Sequence, residues 1–152
     1  MNTSLDRVQA HTAERVNQRI NEDARRRVFA ASGESEAQLS ERIHKLEQEW
    51  DVERWLEMNA SALAFTGTVL GLLWNRKFFA IPCLVLPFLF QHAVHGWCPP
   101  IPILRRRGVR TQQEIDEEKF ALKALRGDFA QSGQITGVRS VDAQSAWSAA
   151  AG

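Results

Sequence analysis

Cysteine is scarce in this sequence: Cys83 and Cys98 are the only two, too few for a disulfide framework. Both are read as reduced thiols. Net charge is almost absent, with 19 Lys and Arg against 18 Asp and Glu, which removes the overall electrostatic argument for a nucleic-acid partner. Also missing are a glycine-rich phosphate loop, a carboxylate dyad and a paired nucleophile and base. A conventional active site, and with it any cofactor, is therefore not expected.

The most informative absence is local. No Asp, Glu, Lys or Arg occurs over 58–75 or 78–104, and only Arg76 and Lys77 separate the two gaps. A helix needs roughly 20 apolar residues to cross a hydrocarbon core, so the pattern predicts two membrane spans, at about 58–75 and 78–97. The mean hydropathy of −0.31 hides them, because it averages a charge-free hairpin against charged flanks. A secretory signal is not expected, since residues 1–57 are polar throughout and the apolar material is internal.

Tryptophans border these runs: Trp55 before the first, Trp74 at its end and Trp97 at the end of the second, with Trp50 one turn outside. Trp55 to Trp74 spans 19 residues, or about 28 Å at helical rise, close to a hydrocarbon thickness of about 30 Å with aromatic belts on both sides. The short turn at Arg76 and Lys77 places both termini on one side. Arg42, Lys45, Arg54, Arg105, Arg106, Arg107, Arg110 and Lys119 lie on that side, so the positive-inside rule makes it cytoplasmic. Arg105, Arg106 and Arg107 read as a headgroup anchor, with Trp55, Trp74 and Trp97 as interface anchors.

Ala60, Ala64, Gly67 and Gly71 recur at helical spacing in the first span, and Gly67 to Gly71 forms a GxxxG. Small residues let backbones approach closely in lipid, so this face is expected to join two copies of the chain. In the second span, Pro82 falls in the first turn, whereas Pro87 lies deeper and is expected to bend the helix.

The flanks read as helices. Leu5, Val8, Val16, Ile20 and Val28 mark one over residues 4–29, with a gap at His11 and Thr12. Ser35 and Gln38 have the form of a capping box, opening a helix with Leu39, Ile43, Leu46 and Trp50 on one face that runs on through Trp55 into the first span. After Cys98, the run Pro99-Pro100-Ile101-Pro102 is expected to be extended. Thr111 to Glu114 is a second capping box, before a helix with Ile115, Leu122, Leu125 and Phe129 on one face. The regions are thus 1–57, cytoplasmic helices; 58–97, the transmembrane hairpin; 98–130, the exit segment and amphipathic helix; and 131–152, a disordered tail whose one large anchor is Trp147.

Chemistry has one candidate location. His92, His95 and Cys98 recur every three residues at the end of the second span, a ligand set that zinc or copper accepts. Equally, the histidines can serve as interfacial hydrogen-bonding groups. The Cys98 thiol is a candidate for redox or sulfur chemistry if Arg105, Arg106 and Arg107 lower its pKa.

At Gly96-Trp97-Cys98-Pro99-Pro100, leaving the second span of a short hairpin, the sequence resembles the YgaP-like inner-membrane proteins, which carry a Gly-x-Cys-Pro element at that point. Pro102, Leu104, Gly108 and Arg110, and the run from Ala121 to Phe129, extend the resemblance, which covers roughly Trp50 to Phe129. It implies a homodimerising hairpin in a bacterial inner membrane. Some members attach a rhodanese domain, for which this chain has no region of the required size, so sulfurtransferase activity is not carried over.

The resulting expectation is an all-α, integral membrane protein with cytoplasmic amphipathic helices flanking a two-helix hairpin. Its role is non-enzymatic: a self-associating anchor or assembly element, with the bilayer, a second copy and a protein partner on its cytoplasmic helices as contacts, and no nucleic acid. The alternatives are a thiol or metal module centred on Cys98, His92 and His95, and an accessory subunit of a larger membrane complex.

Overall fold

A computed structural model describes residues 7–129 and 143–150. Among the described residues every regular element is helical: α1 (Arg7–Ala10), α2 (Glu14–Ala30), α3 (Glu36–Glu47), α4 (Val52–Leu73), α5 (Ala80–His95), α6 (Ile101–Arg106), α7 (Gln112–Arg126) and α8 (Ala143–Ala150), with short 3-10 turns at Ala31–Gly33 and Arg76–Phe79. The described residues form two compact units, one from 7–16 and 50–111, the other from 17–49, 112–129 and 143–150.

The second unit buries Ala24, Val28 and Ala31, then Leu39, Ile43 and Leu46, against Ile115, Ala121, Leu122 and Ala124. The expected face of α7 is present, with Leu125 and Phe129 packed at its edge. At the start of α3 the Ser35 amide and hydroxyl both donate to Gln38 Oε1 at 2.9 Å, so the capping signal was correctly placed. Arg27 forks onto Glu118, its Nε and Nη2 each 2.9 Å from a carboxylate oxygen. That carboxylate is almost fully buried, and the charge-assisted fork offsets its lost hydration.

Four expectations about helix boundaries are corrected. The first helix divides at His11 to Ala13, where Thr12 Oγ1 donates to the Val8 carbonyl at 2.7 Å and ends α1; Leu5 lies outside the described residues. α3 does not continue into the first span. It stops at Glu47, and Asp51 starts α4 afresh by accepting the Arg54 amide at 2.7 Å. The prolines after Cys98 do not force an extended strand: Pro100 precedes α6 and Pro102 sits in its first turn, where the missing amide would have had no helical partner. In the 131–152 tail, 131–142 lie outside the described residues, but 143–150 form α8, whose Ala146 and Trp147 are buried in the second unit's core.

The first unit contains the hairpin. α4 ends at Leu73, and the Asn75 side chain accepts the Lys77 amide at 2.9 Å to open the turn into α5. α5 is continuous through Pro87, with Pro82 buried in its first turn. The two apolar helices thus differ slightly from the expected spans at 58–75 and 78–97: α4 starts six residues earlier and α5 ends two earlier.

Gly67 and Gly71 are buried against the returning helix. A Cβ on Gly67 would lie 2.7 Å from Pro82 Cδ and 2.8 Å from Ile81 Cβ, and one on Gly71 would lie 3.0 Å from the Phe79 ring. The GxxxG face is therefore occupied within one chain. The expectation that Gly67 and Gly71 meet a second copy is replaced by close packing inside the hairpin.

Gly67→Ile should consequently destabilise the hairpin by about 3 kcal/mol through overpacking. Ala62→Ile, on an exposed position of the same helix, should be near neutral; thermal unfolding in detergent followed by circular dichroism measures both. In the second unit, Arg42 holds the Glu34 carboxyl below its ordinary 4.5 and Arg126 holds Asp128 below 3.8, chiefly by hydrogen bonds. Burial instead pushes Glu117 above 4.5. As pH falls from neutrality, protonation of Glu117 favours the fold until its unfolded value is passed; below that, Glu34 and Asp128 lose their stabilising pairs. Stability of this unit should therefore pass through a maximum below neutrality, between these two events. Glu117→Gln should remove the rise on its alkaline side, and Arg42→Gln should soften the fall on its acidic side.

Candidate functional site

The exit end of the hairpin is where the chain brings its polar and apolar groups together. α5 ends at Gly96, whose φ of 72° is left-handed and whose amide donates to the His92 carbonyl at 2.7 Å. Glycine takes this conformation without strain. A side chain at position 96 would also strike Arg7, whose Nη1 donates to the carbonyls of Ala93 and Val94 at 3.1 and 3.3 Å. A cation thus closes the negative end of the helix. Neither Arg7 nor Gly96 emerged from sequence reasoning as a site residue. A C-terminal glycine signal was available, but the span was carried one residue past it to Trp97.

Below this cap, Val8, Val52, Leu56, Cys98 and Ile101 form a small core, with Leu104 and Val109 packed against it. The Val52 amide donates to the Arg110 carbonyl at 2.9 Å, tying the start of α4 to the chain leaving α6. Arg105 is fully buried and donates from Nη1 to the Val109 carbonyl at 3.2 Å. It therefore does not serve as a headgroup anchor, whereas Arg106 and Arg107 are exposed as expected.

The His92, His95 and Cys98 spacing does not assemble a metal site. Among the described residues, no three His, Cys, Asp or Glu side chains come together to hold an ion. The reason is the Gly96 cap: it breaks the helical register before Cys98, leaving His95 exposed and turning Cys98 into the core. Burial also pushes the Cys98 thiol up from its ordinary value, opposite to the direction that reactivity requires.

The aromatic anchors are differently placed. Trp74 is 83% exposed at the turn, and Trp97 is half-buried at the exit. Trp55 stands 5.2 Å from Trp50, over whose ring the Arg54 guanidinium lies at 4.6 Å. Along the outside of the hairpin, Phe65, Leu72, Leu84 and Phe90 are all exposed. Only 17% of the first apolar window and 6% of the second is buried. In a soluble protein such windows would form the core.

Between the beginning of α4 and the end of α5 lies a cavity of about 540 Å³. Ala60, from the small-residue stripe, opens it, and Leu63, Val85, Phe88 and Leu89 make apolar walls. Asn59, His92 and Arg107 contribute polar groups to the lining, beside Trp55 and Cys98. The sequence pattern shows the stripe but not this use of it, since the opposing wall comes from α5. The chain matches no protein-family model, no curated protein and no solved structure.

The buried thiol gives a direct test. With Cys83 replaced by Ser, Cys98 in the folded protein at pH 7.5 should react with a maleimide at less than about a tenth of its rate after unfolding. Equal rates would restore a reactive-thiol reading.

Proposed function

We propose that the chain is a non-enzymatic membrane anchor: α4 and α5 cross the bilayer as a hairpin and tether the helical unit of 17–49, 112–129 and 143–150 on the cytoplasmic side. The observation that carries this reading is the exposure of the hairpin's large apolar side chains on its outer surface. Bilayer contact removes these groups from water, and the helices satisfy nearly all their own backbone hydrogen bonds, as a lipid-exposed segment must. The charge-free run 58–75 and the 20-residue apolar segment Arg76–His95 each fall within the range of about 17–25 residues that a hydrocarbon core needs.

Charge supports the orientation. Arg54, Arg106 and Arg107 are exposed next to the terminal ends of the spans, and Lys45 and Lys119 follow on the same chain segments. The turn offers only Arg76 and Lys77. The inner membrane of a bacterium is the setting that the YgaP-like resemblance implies. Because Gly67 and Gly71 are occupied within the hairpin, anchoring does not depend on self-association through them.

The test is topological. In a chain with both native cysteines replaced by serine, Lys77→Cys should react with an impermeant maleimide from the outside of intact cells, and Gln144→Cys only after the membrane is opened. The protein should also resist alkaline carbonate extraction. Release by carbonate, or labelling of both positions from the same side, would overturn the proposal.

A further inference from the structure

The cavity between the two spans combines features with a common recognition chemistry. Its walls are apolar, its lining contains no carboxylate, and one of its polar groups is the Arg107 guanidinium. Arg107 is exposed and has no ion-pair partner among the described residues. Its volume of about 540 Å³ falls within the range of about 300–1,000 Å³ in which small-molecule sites lie. The lining residues come from the first part of α4, the last part of α5 and the α6 exit. In the proposed bilayer those segments sit at the headgroup boundary, where Trp55, another lining residue, belongs.

We propose that this groove binds one anionic phospholipid, with an acyl chain lying between Leu63 and Phe88 over Ala60 and the phosphate meeting Arg107. Charge complementarity selects this occupant. In a zwitterionic lipid the headgroup's own cation offsets the phosphate charge that Arg107 meets, and a hydrophobic peptide helix supplies no anion at all. The small side chain of Ala60 leaves room for methylene groups; a larger one fills the same space. The site rests on the membrane reading above and gives the hairpin a preferred lipid as well as a bilayer.

The full-length protein in mild detergent, freed of co-purified lipid, should retain one added phosphatidylglycerol per chain in native mass spectrometry. Phosphatidylcholine with the same acyl chains should be retained about fivefold less, the ratio that one cation near an anionic headgroup supplies. Arg107→Gln should erase that preference, whereas Arg106→Gln, an exposed neighbour outside the groove, should preserve it. Ala60→Leu should reduce retention of both lipids at unchanged helicity by circular dichroism. Equal retention of the two phospholipids, equal effects of Arg106→Gln and Arg107→Gln, or retention of a free fatty acid in place of phosphatidylglycerol would overturn the proposal. Co-flotation of all variants with vesicles separates the two ideas: loss of selective retention with flotation intact sinks the lipid site alone, and loss of flotation in the unmodified protein sinks the membrane reading.

Discussion

The approach of α4 to α5 at Gly67 and Gly71 is the constraint on which the hairpin depends. Pro82 Cδ, Ile81 Cβ and the Phe79 ring occupy the space that side chains at these two positions would need. In the proposed bilayer this contact cannot draw on a hydrophobic gain, because lipid tails solvate leucine as well as another leucine does. Dispersion between closely fitted surfaces is left to hold the spans together, and it falls off steeply with separation. Proline contributes on the opposing side: Pro82 presents a flat ring to Gly67 from the first turn of α5, where its lack of an amide costs little.

Close contact near the turn has a counterpart at the other end. Towards the exit the stripe changes from Gly67 and Gly71 to Ala60, and the facing residues become Val85, Leu89 and His92, with a cavity between the helices. What closes this end is polar and comes from outside the hairpin. Arg7 covers the last carbonyls of α5, Asp51 caps α4, and the Val52 amide bonds to the Arg110 carbonyl. Each satisfies a backbone group that a helix terminus leaves open. The hairpin is thus fitted by shape at its turn and fastened by hydrogen bonds at its exit, and its interior space lies between the two.

Much of this was readable from residue spacing. The charge-free runs located α4 and α5, and Leu39, Ile43 and Leu46 with Ile115 and Leu122 located the buried faces of α3 and α7. Periodicity states that a face is buried; it does not identify the surface that buries it. That is why Gly67 and Gly71 suggested a second copy when their partners lie further along the same chain, Pro82 and Ile81 for Gly67 and Phe79 for Gly71. Arg105 shows the same limit for charge, since three consecutive arginines look alike until the turn of α6 directs one of them inward to the Val109 carbonyl.

The Cys98 region illustrates how one backbone event redirects chemistry. Three-residue spacing from His92 through His95 to Cys98 holds only while the helix continues, and Gly96 ends it with a left-handed residue. Beyond that point the chain turns inward, placing Cys98 with Val8, Val52 and Ile101. Pro99 and Pro100 then lead into α6, which brings Arg107 to the cavity. The Gly-x-Cys-Pro element thus acts as a corner: glycine reverses the handedness, the small thiol fills the inside of the bend, and the prolines set the next helix. Its physical consequence is that a buried cysteine and an exposed arginine line one groove between the spans.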